Sequence, residues 1–148
     1  MVVFEILENI FNCNLSDFED LHDEDFRIKI YDNILIGEIK GVKTNVKNEH
    51  VAQVENHRQR YLDKHEEINL KNTKPVLIIN YQREKPPQDR DKIDQRQINL
   101  ANNYGVLIID FYSLLKVYEH YVSGNISPEN LKNYFISHKG LLNYKDLI

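Results

Sequence analysis

Three side chains that could together handle a metal ion and a water molecule lie on two neighbouring predicted strands. Asp25 opens the first strand, and Glu38 and Lys40 flank Ile39 at the end of the second. Because side chains two positions apart on a strand project to the same side, Glu38 and Lys40 share one face. Two carboxylates that converge beside a lysine can hold a hard divalent cation and position a water molecule. This chemistry requires the two strands to pair in the correct register.

The two strands form a predicted β-hairpin. Residues 26–31 alternate between apolar and mostly charged side chains, which is typical of a half-buried strand. Ile34-Leu35-Ile36 is an apolar run, which is typical of a strand buried on both faces. Between them, Asp32-Asn33 tolerates positive φ and suits a two-residue turn. If these two residues form the loop, Tyr31 lies opposite Ile34.

This register places four charged side chains on one face of the hairpin. Arg27 lies opposite Glu38, and Asp25 lies opposite Lys40. Directly opposed Cβ atoms are about 5 Å apart and diagonal ones about 7–8 Å, so the two carboxylates converge diagonally. A three-residue loop would shift the register by one residue and turn Asp25 to the other face. The register therefore selects Asp25 from a cluster of acids that also contains Asp20, Asp23 and Glu24.

The remaining sequence predicts helices and two further strands. Apolar periodicity and end signals predict helices over residues 2–11, 47–64, 94–103, 112–122 and 127–138, an extended segment over 18–22, and apolar strands over 75–81 and 106–111. The last two strands are joined by a helix, so we expect them to be parallel neighbours in the centre of the sheet. We therefore expect an α/β domain with a mixed central β-sheet and flanking helices. A helix that begins at the first residues favours a module of a larger protein.

Composition limits the class of protein. The chain has 148 residues, enough for a single domain over 1–148, and 41% hydrophobic with 28% charged residues is ordinary for a globular protein. The single Cys13 excludes a disulfide framework and is expected to be a small buried hydrophobe. No apolar run is long enough for a membrane span and no signal sequence opens the chain, so we expect a cytoplasmic protein with no membrane partner. His50 and His57 lie two helical turns apart, which argues against a paired zinc site.

The set formed by Asp25 and Glu38-Ile39-Lys40 resembles the signature of the PD-(D/E)-x-K nuclease superfamily. The order of elements is similar too: a leading helix, a hairpin that carries the acids, a long helix after the lysine strand, and a βαβ pair. Gln53 on the long helix stands where many members carry a glutamine that supports the site. The proline usually named in the motif is absent here, as it is in many members. The resemblance covers about residues 2–122 and implies a restriction-endonuclease-like fold.

The resemblance also implies a magnesium-dependent deoxyribonuclease of the endonuclease type. Asp25 and Glu38, with the main-chain carbonyl of Ile39, would bind Mg²⁺ or Mn²⁺. Lys40 would orient the attacking water and stabilise charge on the phosphate, and Gln53 would hold the site from the helix. The substrate would be a phosphodiester bond in DNA, and the chain a restriction or defence module. Cleavage of both strands needs two active sites, which favours a homodimer or a larger multidomain protein.

Local positive charge would have to meet the DNA backbone, because the net charge of the chain is −4. The expected contacts are Arg27, Lys43, Lys47, Arg58 and Arg60, joined by Arg83, Lys85, Arg90 and Arg96. The segment over 82–92 also fits a solvated connector. The negative net charge favours an alternative function, a non-catalytic nuclease-fold module that acts in nucleic-acid binding or protein assembly.

Overall fold

The computed structural model of the chain describes residues 2–15 and 24–148. The helices are α1 (Val2–Phe11), α2 (Asn48–Lys64), α3 (Gln95–Tyr104), α4 (Phe111–Val122) and α5 (Pro128–Ser137). The strands are β1 (Phe26–Ile30), β2 (Asn33–Gly41), β3 (Thr73–Asn80), β4 (Leu107–Asp110) and β5 (Gly140–Leu141). The predicted extended segment over 18–22 lies outside the described residues. Within the described ranges, no helix has the length and apolar character that crossing a membrane requires.

The five strands form one mixed sheet in the order β1-β2-β3-β4-β5. Strand β1 is antiparallel to β2, and the pairs β2–β3, β3–β4 and β4–β5 are parallel. The prediction that two apolar strands joined by a helix lie side by side in parallel is therefore confirmed for β3 and β4. Strand β5 was not predicted, because its two residues are too few to form a pattern. It is held by hydrogen bonds from the Gly140 and Leu142 amides to the carbonyls of Val106 and Ile108, each 2.8 Å long.

Helices cover both faces of this sheet. On one face α1, α4 and α5 bury side chains that include Leu7 and Phe135. On the other face α2 and α3 bury side chains that include Val54 and Ala101. A strand between two layers of helices is buried on both faces, which explains the continuous apolar runs over 75–79 in β3 and 107–109 in β4. The predicted class, an α/β domain with a mixed sheet and flanking helices, is confirmed.

The helix ends follow their sequence signals. Helix α3 ends at Gly105, whose φ of 72° lies in the left-handed region that suits a glycine C-cap. Helix α5 begins with Pro128 after Ser127, whose hydroxyl accepts the amide of Asn130. Helix α4 begins one residue earlier than predicted, because the Asp110 carboxylate accepts the amide of Ser113 and so caps the helix directly at the end of β4.

The hairpin pairs in a register two residues away from the predicted one. Ile30 pairs with Asn33, so Tyr31 and Asp32 form the turn, with Tyr31 at a φ of 54°. The prediction that Asp32-Asn33 is the turn is therefore wrong. Arg27 lies opposite Ile36 rather than Glu38, and the predicted pairing of Asp25 with Lys40 is wrong for the same reason. A shift of two residues nevertheless keeps every side chain on its predicted face, because side chains alternate with a period of two.

Phe26 and Gly37 supply the physical reason for this register. They pair directly, and a Cβ atom placed on Gly37 would lie 1.9 Å from Cζ of Phe26. The ring is fully buried, at 0% exposure, in the core beneath α1, α4 and α5. Only a residue without a side chain can lie under it, so the packing of one ring outweighs the turn preference of Asp32-Asn33.

Candidate active site

Asp25 lies just before β1, at the open end of the hairpin, and is bonded to the β2 backbone on both sides of Glu38. The Asp25 amide donates to the carbonyl of Gly37, the residue that pairs with Phe26, over 2.8 Å. The Asp25 carboxylate in turn accepts the Ile39 amide at Oδ2, also over 2.8 Å. This second bond fixes the carboxylate against the β2 backbone directly beside Glu38. The Asp25 carboxylate is thus held at the amide of the residue that follows Glu38.

Glu38 lies at the centre of a small polar cluster on the face covered by α2. Its side chain is buried, with a residue exposure of 6%. Oε1 lies 3.9 Å from the Lys40 ammonium and 3.5 Å from Nε2 of Gln53, and Oε2 lies 3.0 Å from Nδ1 of His57. A buried carboxylate requires such partners, because desolvation without them would be costly. The structure therefore places Lys40 and Gln53 beside Glu38, and it holds the Asp25 carboxylate at the amide of Ile39, the residue after Glu38.

Helix α2 presents Gln53 and His57 to Glu38 from above the sheet. The two residues are four positions apart and so lie on the same side of the helix. Val51 and Val54, both fully buried, fix the helix against the sheet. Sequence reasoning assigned no function to His57, although its spacing of four residues from Gln53 places both on one side of a helix. Only the packing of α2 over β2 shows that His57 meets a carboxylate.

The start of α2 adds positive charge near Lys40. The His50 ring accepts the Lys47 amide at Nδ1 over 3.0 Å, which caps the first turn of the helix. Burial lowers the pKa of His50, and the nearby charges of Lys40 and Lys47 lower it further, while Glu49 opposes them. His50 is therefore neutral at neutral pH, and the local positive charge comes from the two lysines.

The ligands available to a cation at this place are oxygen atoms. No group of three or more His, Cys, Asp and Glu side chains within 2–15 and 24–148 is arranged as a metal site. The remaining set consists of the Asp25 and Glu38 carboxylates and the main-chain carbonyl of Ile39. The Ile39 amide points toward β1, and the carbonyl of the same residue points the same way in an extended strand. An all-oxygen set of this kind fits a hard cation such as Mg²⁺ or Mn²⁺ and does not fit a soft one.

The five basic residues predicted to contact nucleic acid lie in different surroundings. Arg27 pairs with the buried Glu24 over 3.0 Å and lies over the Tyr61 ring, 5.4 Å from its centroid. Lys43 pairs with Glu84 at the surface over 3.3 Å. Lys47, the N-cap residue of α2, and Arg60, on α2, are both exposed.

Arg58 is the member of this set that lies inside the protein. It is 7% exposed, donates to the Tyr104 carbonyl over 2.8 Å and forms an ion pair with Glu55. These contacts hold its guanidinium at the end of the sheet where β3 begins. The Arg58 guanidinium therefore lies at the opposite end of the sheet from Lys40.

Comparison with known proteins bears on the fold. No protein-family model matches the chain, and no curated protein sequence matches it. Among solved structures, the chain is similar to the restriction endonuclease FokI bound to DNA, with a TM-score of 0.60 and 12% sequence identity. The likeness covers 95% of this chain and 27% of the FokI chain, so this chain spans about a quarter of that protein. The fold is therefore restriction-endonuclease-like, as the sequence predicts.

Proposed function

We propose that the chain is a metal-dependent nuclease domain of the PD-(D/E)-x-K type that hydrolyses phosphodiester bonds in DNA. One observation carries the proposal: the Asp25 carboxylate accepts the amide of Ile39, the residue between Glu38 and Lys40, and the Lys40 ammonium lies 3.9 Å from the Glu38 carboxylate. Two acids, one lysine and a backbone carbonyl at the end of a sheet form an arrangement suited to phosphoryl transfer.

Asp25, Glu38 and the Ile39 carbonyl would hold Mg²⁺ or Mn²⁺. A bound ion of this type neutralises charge on the phosphate and makes its coordinated water more acidic. The Asp25–Ile39 hydrogen bond would keep both the carboxylate and the adjacent peptide in position for this task. Preorganisation of this kind lowers the barrier without any rearrangement during the reaction.

Lys40 would act at the phosphate and at the attacking water. An ammonium on the same strand face as Glu38 can orient the water and stabilise the negative charge that develops on the phosphate oxygens. Gln53 and His57 would act through Glu38, since they contact its two carboxylate oxygens from α2. They are therefore positioning residues in this scheme.

DNA is the proposed substrate because FokI, the solved structure of similar fold, is bound to DNA. Lys43, Lys47 and Arg60 are exposed cations on the segments that follow β2, where they could contact a phosphate backbone. Sequence recognition would lie in another part of a larger protein or in a partner, since the chain corresponds to 27% of FokI. Two copies of the domain would be needed to cut both strands.

One observation favours the alternative of a non-catalytic module that binds nucleic acid or assembles with other proteins. Glu38 is already engaged by His57, Lys40 and Gln53, so its charge is balanced inside the protein. A carboxylate with these partners could serve structure alone. The two functions differ in whether the cluster opens to a divalent cation.

The test is DNA cleavage by the purified chain with Mg²⁺ or Mn²⁺, on supercoiled and linear DNA and on RNA. We expect nicking or cleavage of DNA, and a loss of roughly 100-fold or more in rate for Glu38→Gln and for Lys40→Met. Glu129→Gln and Lys145→Met are matched controls, because both residues are exposed and lie outside the cluster. Cleavage by Glu38→Gln at the parent rate would refute the assignment. DNA binding without cleavage by the folded parent protein would favour the non-catalytic module.

A further inference from the structure

A second cationic site lies at the opposite end of the parallel strands from Lys40. An open pocket of about 520 Å³ is formed where β3 and β4 begin, between α2, α3 and the segment after α5. Four basic side chains line it, with Glu55 as the acid among the lining residues: Arg58, Lys71, Lys74 and Lys139. The pocket is separate from the proposed nuclease centre, since Lys74 precedes Leu77, the strand partner of Glu38, by three residues or roughly 10 Å.

Lys74 is the unusual member of this group. It is a buried lysine, with an exposure of 7%, at the second position of β3. Lysine is rarely buried to this degree without a partner of opposite charge. Among the described residues, the charges that act on its ammonium are those of Arg58 and Lys139, which are both positive. The side chain therefore lines the pocket without an anion to balance it.

The neighbouring cations are held in place by the fold. Arg58 is fixed by the Tyr104 carbonyl and by Glu55, so its guanidinium cannot swing away from Lys74. The Glu55 carboxylate balances the charge of Arg58, so the lining of the pocket keeps a net positive charge from Lys71, Lys74 and Lys139. Burial lowers the pKa of Lys74 to about 8, and Arg58 and Lys139 contribute to this shift. A protein that gathers like charges in a pocket gains stability when an anion binds between them.

We propose that this pocket binds a small phosphate monoester, with Lys74 and Lys139 as its main contacts. A phosphate monoester carries up to two negative charges and three acceptor oxygens, which matches several converging cations better than a single carboxylate does. The pocket volume exceeds that of the phosphate group alone, and Leu70 and Ile136 offer apolar surface to an organic substituent. The inference does not rest on nuclease activity.

The experiment is a calorimetric titration with inorganic phosphate at about pH 7 and fixed ionic strength, with acetate as the comparison anion. We expect binding of one phosphate, with affinity about tenfold weaker in Lys74→Met and in Lys139→Met, because each removes a charged hydrogen-bond donor. Lys145→Met is the matched control, since it removes an equal charge from an exposed position outside the pocket. Acetate should bind more weakly than phosphate. Equal phosphate affinity in the parent and in both pocket variants, or equal affinity for acetate and phosphate, would overturn the proposal.

A second measurement locates the phosphate at Lys74 itself. At a pH of about 8.5 a bound anion raises the pKa of Lys74, so binding should take up protons in the parent protein. The charged groups that line the pocket around Lys74 are Arg58 and Glu55 from α2, Lys71 before β3 and Lys139 after α5. The pKa of Lys74, at about 8, lies close to that pH. Titrations in buffers of different ionisation enthalpy should show proton uptake that Lys74→Met lacks, and equal uptake in both proteins would overturn the assignment.

Discussion

Phe26 and Gly37 form one tightly packed pair, in which the buried ring occupies the space where a side chain on Gly37 would lie. Each member of the pair is next to a proposed metal ligand in the sequence: Asp25 precedes Phe26, and Glu38 follows Gly37. The packing of this pair on one face of the hairpin therefore fixes the strand register, which determines where Glu38 and the Asp25 carboxylate lie along β2. The core on one face of the sheet and the candidate site on the other are therefore linked by the peptide bonds Asp25-Phe26 and Gly37-Glu38.

Gly37→Ala tests this relationship. The added Cβ would lie 1.9 Å from the Phe26 ring, so we expect the free energy of unfolding to fall. Overpacking of a core costs typically about 1–3 kcal/mol, and a loss at the upper end is expected here because the strand backbone cannot move freely. Urea denaturation followed by circular dichroism measures the change.

Gly41→Ala is the matched control for that substitution. It lies on the same strand, and a Cβ there would meet only the Arg83 side chain, at an ordinary contact distance of 3.6 Å. We expect this variant to keep the stability of the parent to within about 0.5 kcal/mol. Equal losses for the two variants would contradict the claim that the Phe26 ring sets the register.

Asp25→Asn separates the structural bond of this residue from its charge. An asparagine can still accept the Ile39 amide through its side-chain carbonyl, so the fold should be retained. The loss of one carboxylate should weaken Mn²⁺ binding by about tenfold or more, because hard cations depend on charged oxygen ligands. Electron paramagnetic resonance of free Mn²⁺ measures the affinity. Asp32→Asn, at the exposed turn, is the control and should bind Mn²⁺ as the parent does.

His57→Phe tests how Glu38 is held. The apolar ring removes the partner 3.0 Å from Oε2 and leaves a buried acceptor poorly satisfied, so unfolding should become easier by about 1–3 kcal/mol. His57→Gln retains a donor and should recover part of this loss. If Glu38 is a metal ligand, Mg²⁺ should raise the melting temperature of His57→Phe more than that of the parent, because the ion replaces the missing partner. An unchanged melting temperature with and without Mg²⁺ in both proteins would argue against a metal site at Glu38.

The sequence predicted most of the architecture, because its strongest patterns are those of long buried elements. The apolar residues of β3 and β4 and the caps at Gly105 and Ser127 mark their elements directly. The two-residue strand β5 has no pattern of its own and depends on parallel hydrogen bonds to β4. The turn at Tyr31 was missed for a related reason, since the deciding contact is a ring on a glycine across the hairpin rather than the residues of the turn.

The residues of the candidate site also fall into those that strand patterns predict and those that depend on tertiary packing. Glu38 and Lys40 keep their predicted face, because a two-residue change of register preserves the face, whereas the pairing that selected Asp25 among its neighbouring acids was wrong. His57 could not be assigned, since its role depends on how α2 packs over β2. Arg58 was expected to contact DNA and Lys74 was assigned no role, because the burial of both follows from the meeting of β3, α2 and Gly105 at one end of the sheet.

Lys74→Met tests the energetic consequence of that buried lysine. The pKa of Lys74 is about 8 in the folded protein, below the 10.5 of an exposed lysine. Between these values the unfolded chain binds more protons than the folded one, so the contribution of Lys74 to stability rises as the pH increases from about 8 to 10.5. At neutral pH its charge opposes folding by about 3 kcal/mol, and Lys74→Met should be more stable by up to that amount.

The measurement is the free energy of unfolding of both proteins between about pH 7 and pH 10, in a buffer free of phosphate. The difference between the two proteins isolates Lys74, because Tyr81 and Tyr134, whose pKa values are raised by burial, titrate in both. We expect the advantage of Lys74→Met to shrink steadily above about pH 8 as the parent lysine loses its proton. A stability difference that does not change with pH would mean that burial does not lower the pKa of the Lys74 ammonium. Lys139→Met removes a neighbouring positive charge, so this variant should also be more stable than the parent, by less than Lys74→Met.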